Sequence, residues 1–311
     1  MWYRRTVLLS GAALLLVFAV RAGELLDTRK APAKASAKTE KAKKPDGEQQ
    51  FMRLARDAGG RPLALESAVV TFVPEDSSRT SPTVDLVAAI HIAENGYYDE
   101  LNKLFSKYDV VLYELVAPEG TRIPKGGRPN SKHPITLVQT MMTKVLNLRF
   151  QLECIDYTKQ NLVHADMSPQ QLAEAMQKRG ESVWTIFMRM MGYALARQGY
   201  SDEIDTARLL AALFDKNRSL EVKRLMAEQF QDMEGSVMAI EGPKGSALIS
   251  DRNKAALEVM RKQIAAGKKK IAIFYGAAHM PNFQRQLHDK FGLVPTSTRW
   301  LVAWDLKGKA R

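Results

Sequence analysis

Cysteine is almost absent. The 311 residues hold one, Cys154, which excludes an intrachain disulfide and a zinc site built on cysteines. Acidic residues are also short: 34 Asp and Glu stand against 46 Lys and Arg, for a net charge of +12 at pH 7. Ten basic and five acidic residues fall within 1–50, so five of those charges sit there and seven on the remaining 261 residues. A basic balance suits anionic partners. The chain nevertheless lacks any RNA- or DNA-binding motif and any stripe of interleaved arginines and aromatics, so nucleic acid is not an expected partner. Long hydrophobic runs are missing too: the longest, Thr6 to Val20, is 15 residues, short of the ~20 needed to span a bilayer as a helix. With 45% hydrophobic and 26% charged residues, the composition is globular and excludes collagen-like, wholly disordered and polytopic membrane proteins.

What is present begins with a leader. Arg4 and Arg5 precede the apolar run, and Val20-Arg21-Ala22 ends on a small residue, so residues 1–22 read as a signal peptide, or as a membrane anchor if uncleaved. The expected location is outside the cytoplasm, periplasmic or secreted, with membrane association through the N-terminus if the segment stays. Residues 23–50 are rich in Lys and Ala and poor in apolar bulk, which predicts a disordered linker.

From Phe51 the pattern becomes that of an α/β domain, 51–311. Leu63–Phe72 and Thr83–Ala89 read as β-branched strands joined by a hairpin loop. Asn95 to Lys107 reads as a helix with Tyr98, Leu101, Leu104 and Phe105 on one face, and Asp109–Val116 as a buried strand. The end of the chain repeats this grammar: strand Lys270–Tyr275, turn Gly276-Ala277-Ala278-His279, helix Pro281 to Phe291, strand Arg299 to Asp305. The expected sheet is thus built from two repeated units of strand, histidine, helix and strand. Between them, at about 135–235, lies an insert expected to be mainly helical and placed as a cap. Within it Ser168 and Pro169 mark a helix start.

His91 and His279 occupy matching places where an apolar strand hands over to a helix, and short βαβ units put such residues at the carboxyl edge of a sheet, where ligands bind. Glu114 ends the apolar run Val110–Tyr113, where an unpaired carboxylate would be costly. It needs a metal, a catalytic proton or a basic partner, and the best candidate partner is Arg252, which with Asn253 opens a helix. Asp156, His164 and Asp166 form a further cluster that either supports the site or contacts substrate, or simply caps the turn before Ser168. No base is spaced to activate Cys154 as a nucleophile. His133 and His288 read as loop and helix-surface residues.

Ala-Ala-Ile-His91, Gly-Ala-Ala-His279, Leu-Tyr-Glu114-Leu and Asp251-Arg252-Asn253 together resemble the TraB/PrgY/GumN group over about residues 60–306. That group includes the Tiki membrane-associated proteases and is related in structure to erythromycin esterase and to the ChaN haem-binding proteins. The resemblance implies active-site positions for His91, Glu114, Arg252 and His279, with Asn253 a weaker correspondence. The first motif departs from the group by starting with Ala88 rather than Gly. On this basis the leading expectation is a metal-assisted peptidase. His91, His279 and Glu114 would hold Mn, Co or Zn, Glu114 serving instead as general base if it is not a ligand, and Arg252 would stabilise an oxyanion. A metal-free variant, in which His and Glu activate water directly, stays open. So do a peptide- or haem-binding protein without turnover on the same site, and a structural role for the histidines.

Overall fold

The computed structural model describes residues 49–76, 82–126, 146–197, 211–212, 214–230, 237 and 240–308. The expected leader, all but the end of the linker, His133 and most of the apolar stretch 135–150 lie outside the described residues. Among those described, no helix is long and apolar enough to cross a membrane.

Seven strands form one mixed sheet. Its centre is β3 (Thr83–Ala89), β8 (Lys270–Gly276) and β5 (Val110–Tyr113), side by side and parallel, with β7 (Leu162–His164) parallel on the far side of β5. Apart from Asp85, which accepts from the Tyr108 hydroxyl, these central strands are apolar and aromatic runs buried on both faces, the pattern a covered parallel sheet demands. On the other side of β3 runs the antiparallel β2 (Pro62–Pro74). One edge of β2 carries β1 (Met52–Arg56) and then β3; the other pairs with β9 (Leu293–Asp305) along 64–74.

Alternation along β8 sends its side chains to two cores. Ile271, Ile273 and Tyr275 meet Ala256, Leu257 and Met260 of α6 (Arg252–Ala265) and Met280, Phe283 and Leu287 of α7 (Met280–Phe291). Ala272 and Phe274 meet Tyr97, Tyr98, Leu101 and Phe105 of α1 (Asn95–Phe105) on the opposite face. Helices therefore cover both faces of the sheet. Gly292 ends α7 in the left-handed conformation at φ 63°, which lets the chain turn straight into β9.

The strands of each repeated unit run in the same direction with other strands between them: β8 lies between β3 and β5, and β3 and β2 lie between β8 and β9. One expectation needs correction. The last strand starts at Leu293 rather than Arg299, because backbone pairing with β2 carries a polar edge segment, Pro295 included, that has little apolar signal of its own. The insert, expected to be mainly helical, also carries short strands: β7 lies within it and joins the main sheet, and β6 (Arg149–Phe150) pairs with β4 (Ile92–Ala93) in a separate ladder. Its described helices include α2 (Gln151–Cys154), α3 (Pro169–Lys178), α4 (Val183–Arg197) and α5 (Arg218–Phe230), α3 being started by a complete capping box between Ser168 and Gln171.

Ile273 is fully buried in the central strand, so Ile273→Ala is expected to cost about 2–5 kcal/mol, read as a lower urea midpoint with an unchanged m-value.

Candidate functional site

The carboxyl ends of the four parallel strands form one rim. His91 follows β3 by two residues, His279 follows β8 by three, Glu114 directly follows β5, and Asp166 follows β7 by two. Arg252 and Asn253 enter from the first turn of α6, which a π-helical turn (Ala247–Asp251) leads into. That turn is pinned from α3's end, where Arg179 Nε and Nη2 grip Asp251 at 2.5 and 2.7 Å.

Arg252 is the hub. Its Nη2 donates to Glu114 Oε1 at 2.6 Å and to Asp166 Oδ2 at 2.6 Å, and its Nε donates to Asp166 Oδ1 at 2.9 Å. Glu114 Oε2 accepts from the Gly276 backbone N–H at 2.7 Å. Asp166 is fully enclosed, and Glu114 and Arg252 nearly so. Only Nη1 of the guanidinium is loosely held, 3.3 Å from His279 Nε2 and 3.4 Å from the Leu248 carbonyl. Burial alone would raise the Glu114 carboxyl, but the positive charge of Arg252, helped by the Gly276 N–H, outweighs that and holds it well below the usual carboxylate range. Burial pushes His279 down to about 3 against the pull of Glu114, and the adjacent guanidinium adds to the fall. His279 Nε2 and Glu114 Oε1, 3.6 Å apart, are therefore a neutral ring beside an anion rather than an ion pair.

The two histidines differ in their surroundings. His279 is buried, with Nδ1 2.6 Å from Asn253 Oδ1. His91 is half-buried, its Nδ1 2.9 Å from Gln151 Oε1, while Gln151 Nε2 donates to the Tyr157 hydroxyl at 2.9 Å. A side chain on Gly276 would put its Cβ 3.0 Å from His91 Nε2 and 3.3 Å from Glu114 Oε2. The glycine's φ is −50°, so its role is not a left-handed turn: lacking a Cβ, it lets the imidazole and the carboxylate close in on the backbone. Ala88 of the first motif lies in regular β3 opposite Tyr275, and it is Ala89 that lies opposite Gly276.

Of the supporting cluster expected from sequence, Asp166 belongs to the site. His164 and Asp156 do not. His164 Nε2 lies 2.6 Å from the Leu115 carbonyl, and Asp156 Oδ1 accepts from the Thr158 backbone and hydroxyl at 3.2 and 2.5 Å. Burial raises the Cys154 thiol, in keeping with its having no expected role as a nucleophile. Gln151, Asn282 and Glu241, which brace the histidine network, carry no sequence signal, because single uncharged amides and an isolated glutamate form no pattern.

A divalent ion shared by His279 and Glu114 does not fit this donor set. Both Glu114 oxygens are engaged, and the Arg252 guanidinium lies against Glu114 Oε1 and His279 Nε2 where such an ion would bind. Among the described residues, no three His, Cys, Asp or Glu side chains are grouped to hold a metal.

Two outcomes follow. Gly276→Ala is expected to cost about 1–3 kcal/mol by crowding His91 and Glu114, measured by urea denaturation. The pH dependence has a defined sign. The unfolded His279 ring, near 6.5, binds a proton more readily than the folded one near 3, so the stability it supplies is complete above about pH 6.5 and lost as pH falls toward 3. Glu114 acts in the same sense at lower pH, its contribution complete above its unfolded value and lost as pH falls through the folded one. Unfolding free energies from pH 7 to 4 should therefore fall less steeply in His279→Gln than in wild type, by at most about 1.4 kcal/mol per pH unit. Equal slopes would show that the ring is not held neutral. Comparison of the chain with family models, with curated proteins and with solved structures finds no match.

Proposed function

We propose that this chain is an exported hydrolase of the TraB/GumN-like kind, acting on a peptide or other small carbonyl substrate, and that its water is activated without a metal. The observation that carries it is the convergence of His91 Nε2 and Glu114 Oε2 on one side of Gly276, 3.0 and 3.3 Å from the place a Cβ would take. A water bound to the half-exposed His91 Nε2 meets an imidazole with a fixed anion close by. His91 takes a proton from the water as its oxygen attacks the substrate carbonyl carbon, and Glu114 stabilises the imidazolium that forms. Arg252 Nη1, whose contacts are long, donates to the oxyanion. When the tetrahedral intermediate collapses, the bond to the leaving group breaks and His91 returns its proton to that group. His279, with a value of about 3, is too weak a base for this work near neutral pH and serves as an acceptor that orients Nη1.

Support also comes from the convergence of the residues that carry the family resemblance: His91, Glu114, Arg252, Asn253 and His279 lie at one rim although up to 188 positions separate them. Against a metal-assisted route stands the guanidinium beside His279 and Glu114.

The test is a fluorogenic ester and peptide library hydrolysed by the purified chain before and after chelation, with elemental analysis alongside. Expected is activity that survives chelation and falls by about 10²–10⁴-fold in His91→Ala and Glu114→Gln. Near-stoichiometric Mn, Co or Zn whose removal abolishes turnover would overturn the metal-free route. Hydrolysis unchanged in both variants would overturn the enzyme itself and leave the rim to be tested with peptide or hemin as a binding site.

A further inference from the structure

Asn253 makes no contact with His91 or with the guanidinium that would give it a part in the chemistry; its amide faces His279 and Asn282. The direction of each of its bonds is fixed by what its partners can do. A backbone carbonyl only accepts, so the Asn253 amide nitrogen is the atom 2.9 Å from the His279 carbonyl. An ionised carboxylate only accepts, so Asn282 turns its own amide nitrogen to Glu241 Oε1 at 2.6 Å. Asn282 Oδ1 is then left to accept from Asn253 Nδ2 at 3.0 Å, and it accepts from Gln286 Nε2 at 2.6 Å as well. Both partners of Asn253 thus hold it the same way round, with Oδ1 2.6 Å from His279 Nδ1, where only an N–H can bond.

We propose that Asn253, oriented by Asn282 and Glu241, is a positioning residue that locks His279 as the Nδ1–H tautomer and keeps its Nε2 lone pair turned on Arg252 Nη1. The lock has a competitor to defeat. In the other tautomer Nε2–H would point toward Glu114 Oε1, 3.6 Å away, and would set its hydrogen against the Nη1–H donors 3.3 Å away. Such a ring would push Nη1 out of line, and Nη1 is the loosely held edge of the guanidinium. The chain of donors runs one way, from His279 through Asn253 and Asn282 to the negative charge of Glu241, so each bond polarises the next.

For its effect on turnover this inference rests on the proposed hydrolase; the tautomer itself does not. The test is a long-range ¹H–¹⁵N spectrum of the full-length chain labelled with ¹⁵N-histidine, at pH 7, with the His279 signals identified by their loss in His279→Gln. Wild type should show a protonated Nδ1 and a bare Nε2. Asn253→Leu removes the acceptor and should convert the ring to Nε2–H. The wild-type spectrum decides the matter if the leucine variant fails to fold. Wild-type His279 protonated on Nε2, or a folded Asn253→Leu still protonated on Nδ1, would each overturn the lock. Where a substrate is hydrolysed, Asn253→Leu should lower kcat by about 10–100-fold with KM little changed. Absence of any hydrolysis would sink the proposed function and leave the spectroscopic result to stand or fall alone.

Discussion

The rim is organised by one cation. The Arg252 guanidinium is buried with two carboxylates on it, Glu114 from the end of β5 and Asp166 from the end of β7. Bringing three charges out of water is expensive, and their attraction offsets the cost only when geometry is good and every oxygen is occupied. That condition is met. Asp166 takes Nε and Nη2 together, and Glu114 divides its oxygens between Nη2 and the Gly276 N–H. The cluster therefore forms only when β8, β5 and β7 are correctly ordered and α6 starts in the right place, so it tests the topology of the whole sheet. Removing one partner would strand a buried charge, a loss of about 3–5 kcal/mol.

That logic explains why part of the site is legible in the sequence alone. A glutamate ending the apolar run Val110–Tyr113 has to find a cation, and Arg252 at a helix start is the natural one. The two histidines are legible because the grammar around them repeats, and the central strands because continuous β-branched runs have few other solutions. Asp166 is only half legible. Its spacing from His164 suggests a shared face, but β7 ends at His164, alternation stops there, and the two side chains part: one to the Leu115 carbonyl, the other to Arg252. β7 itself has three residues, too few to show a period. The first half of β9 gains its place from pairing with β2 rather than from its own side chains.

The repeat is also less symmetric than its letters. The motif histidines share a position after a strand, yet in the β3–β8 register Ala88 faces Tyr275 and it is Ala89 that faces Gly276. The second motif needs a missing side chain because there the chain passes close to both His91 and Glu114. His91 stays half-exposed and rests on Gln151 from the insert; His279 is sealed and rests on Asn253 from α6. The repeated pattern thus holds one histidine that solvent reaches and one it does not, a difference that suits the proposed proton carrier and fixed acceptor.

The strongest argument that the rim has a task is what it does to stability. Away from it the central strands are mostly apolar core, with Ile271, Ile273, Leu112 and Val111 fully buried and Asp85 the buried exception, held by the Tyr108 hydroxyl. At the strand ends that pattern stops. Two carboxylates, a guanidinium and a neutral histidine occupy positions where well-packed leucines or methionines of similar volume would serve a merely structural protein as well or better. The local charges do not even balance, with two anions against one permanent cation while His279 is neutral. Local rules broken together, at the edge where parallel strands present their carboxyl ends, are what the proposed hydrolase would ask of its site.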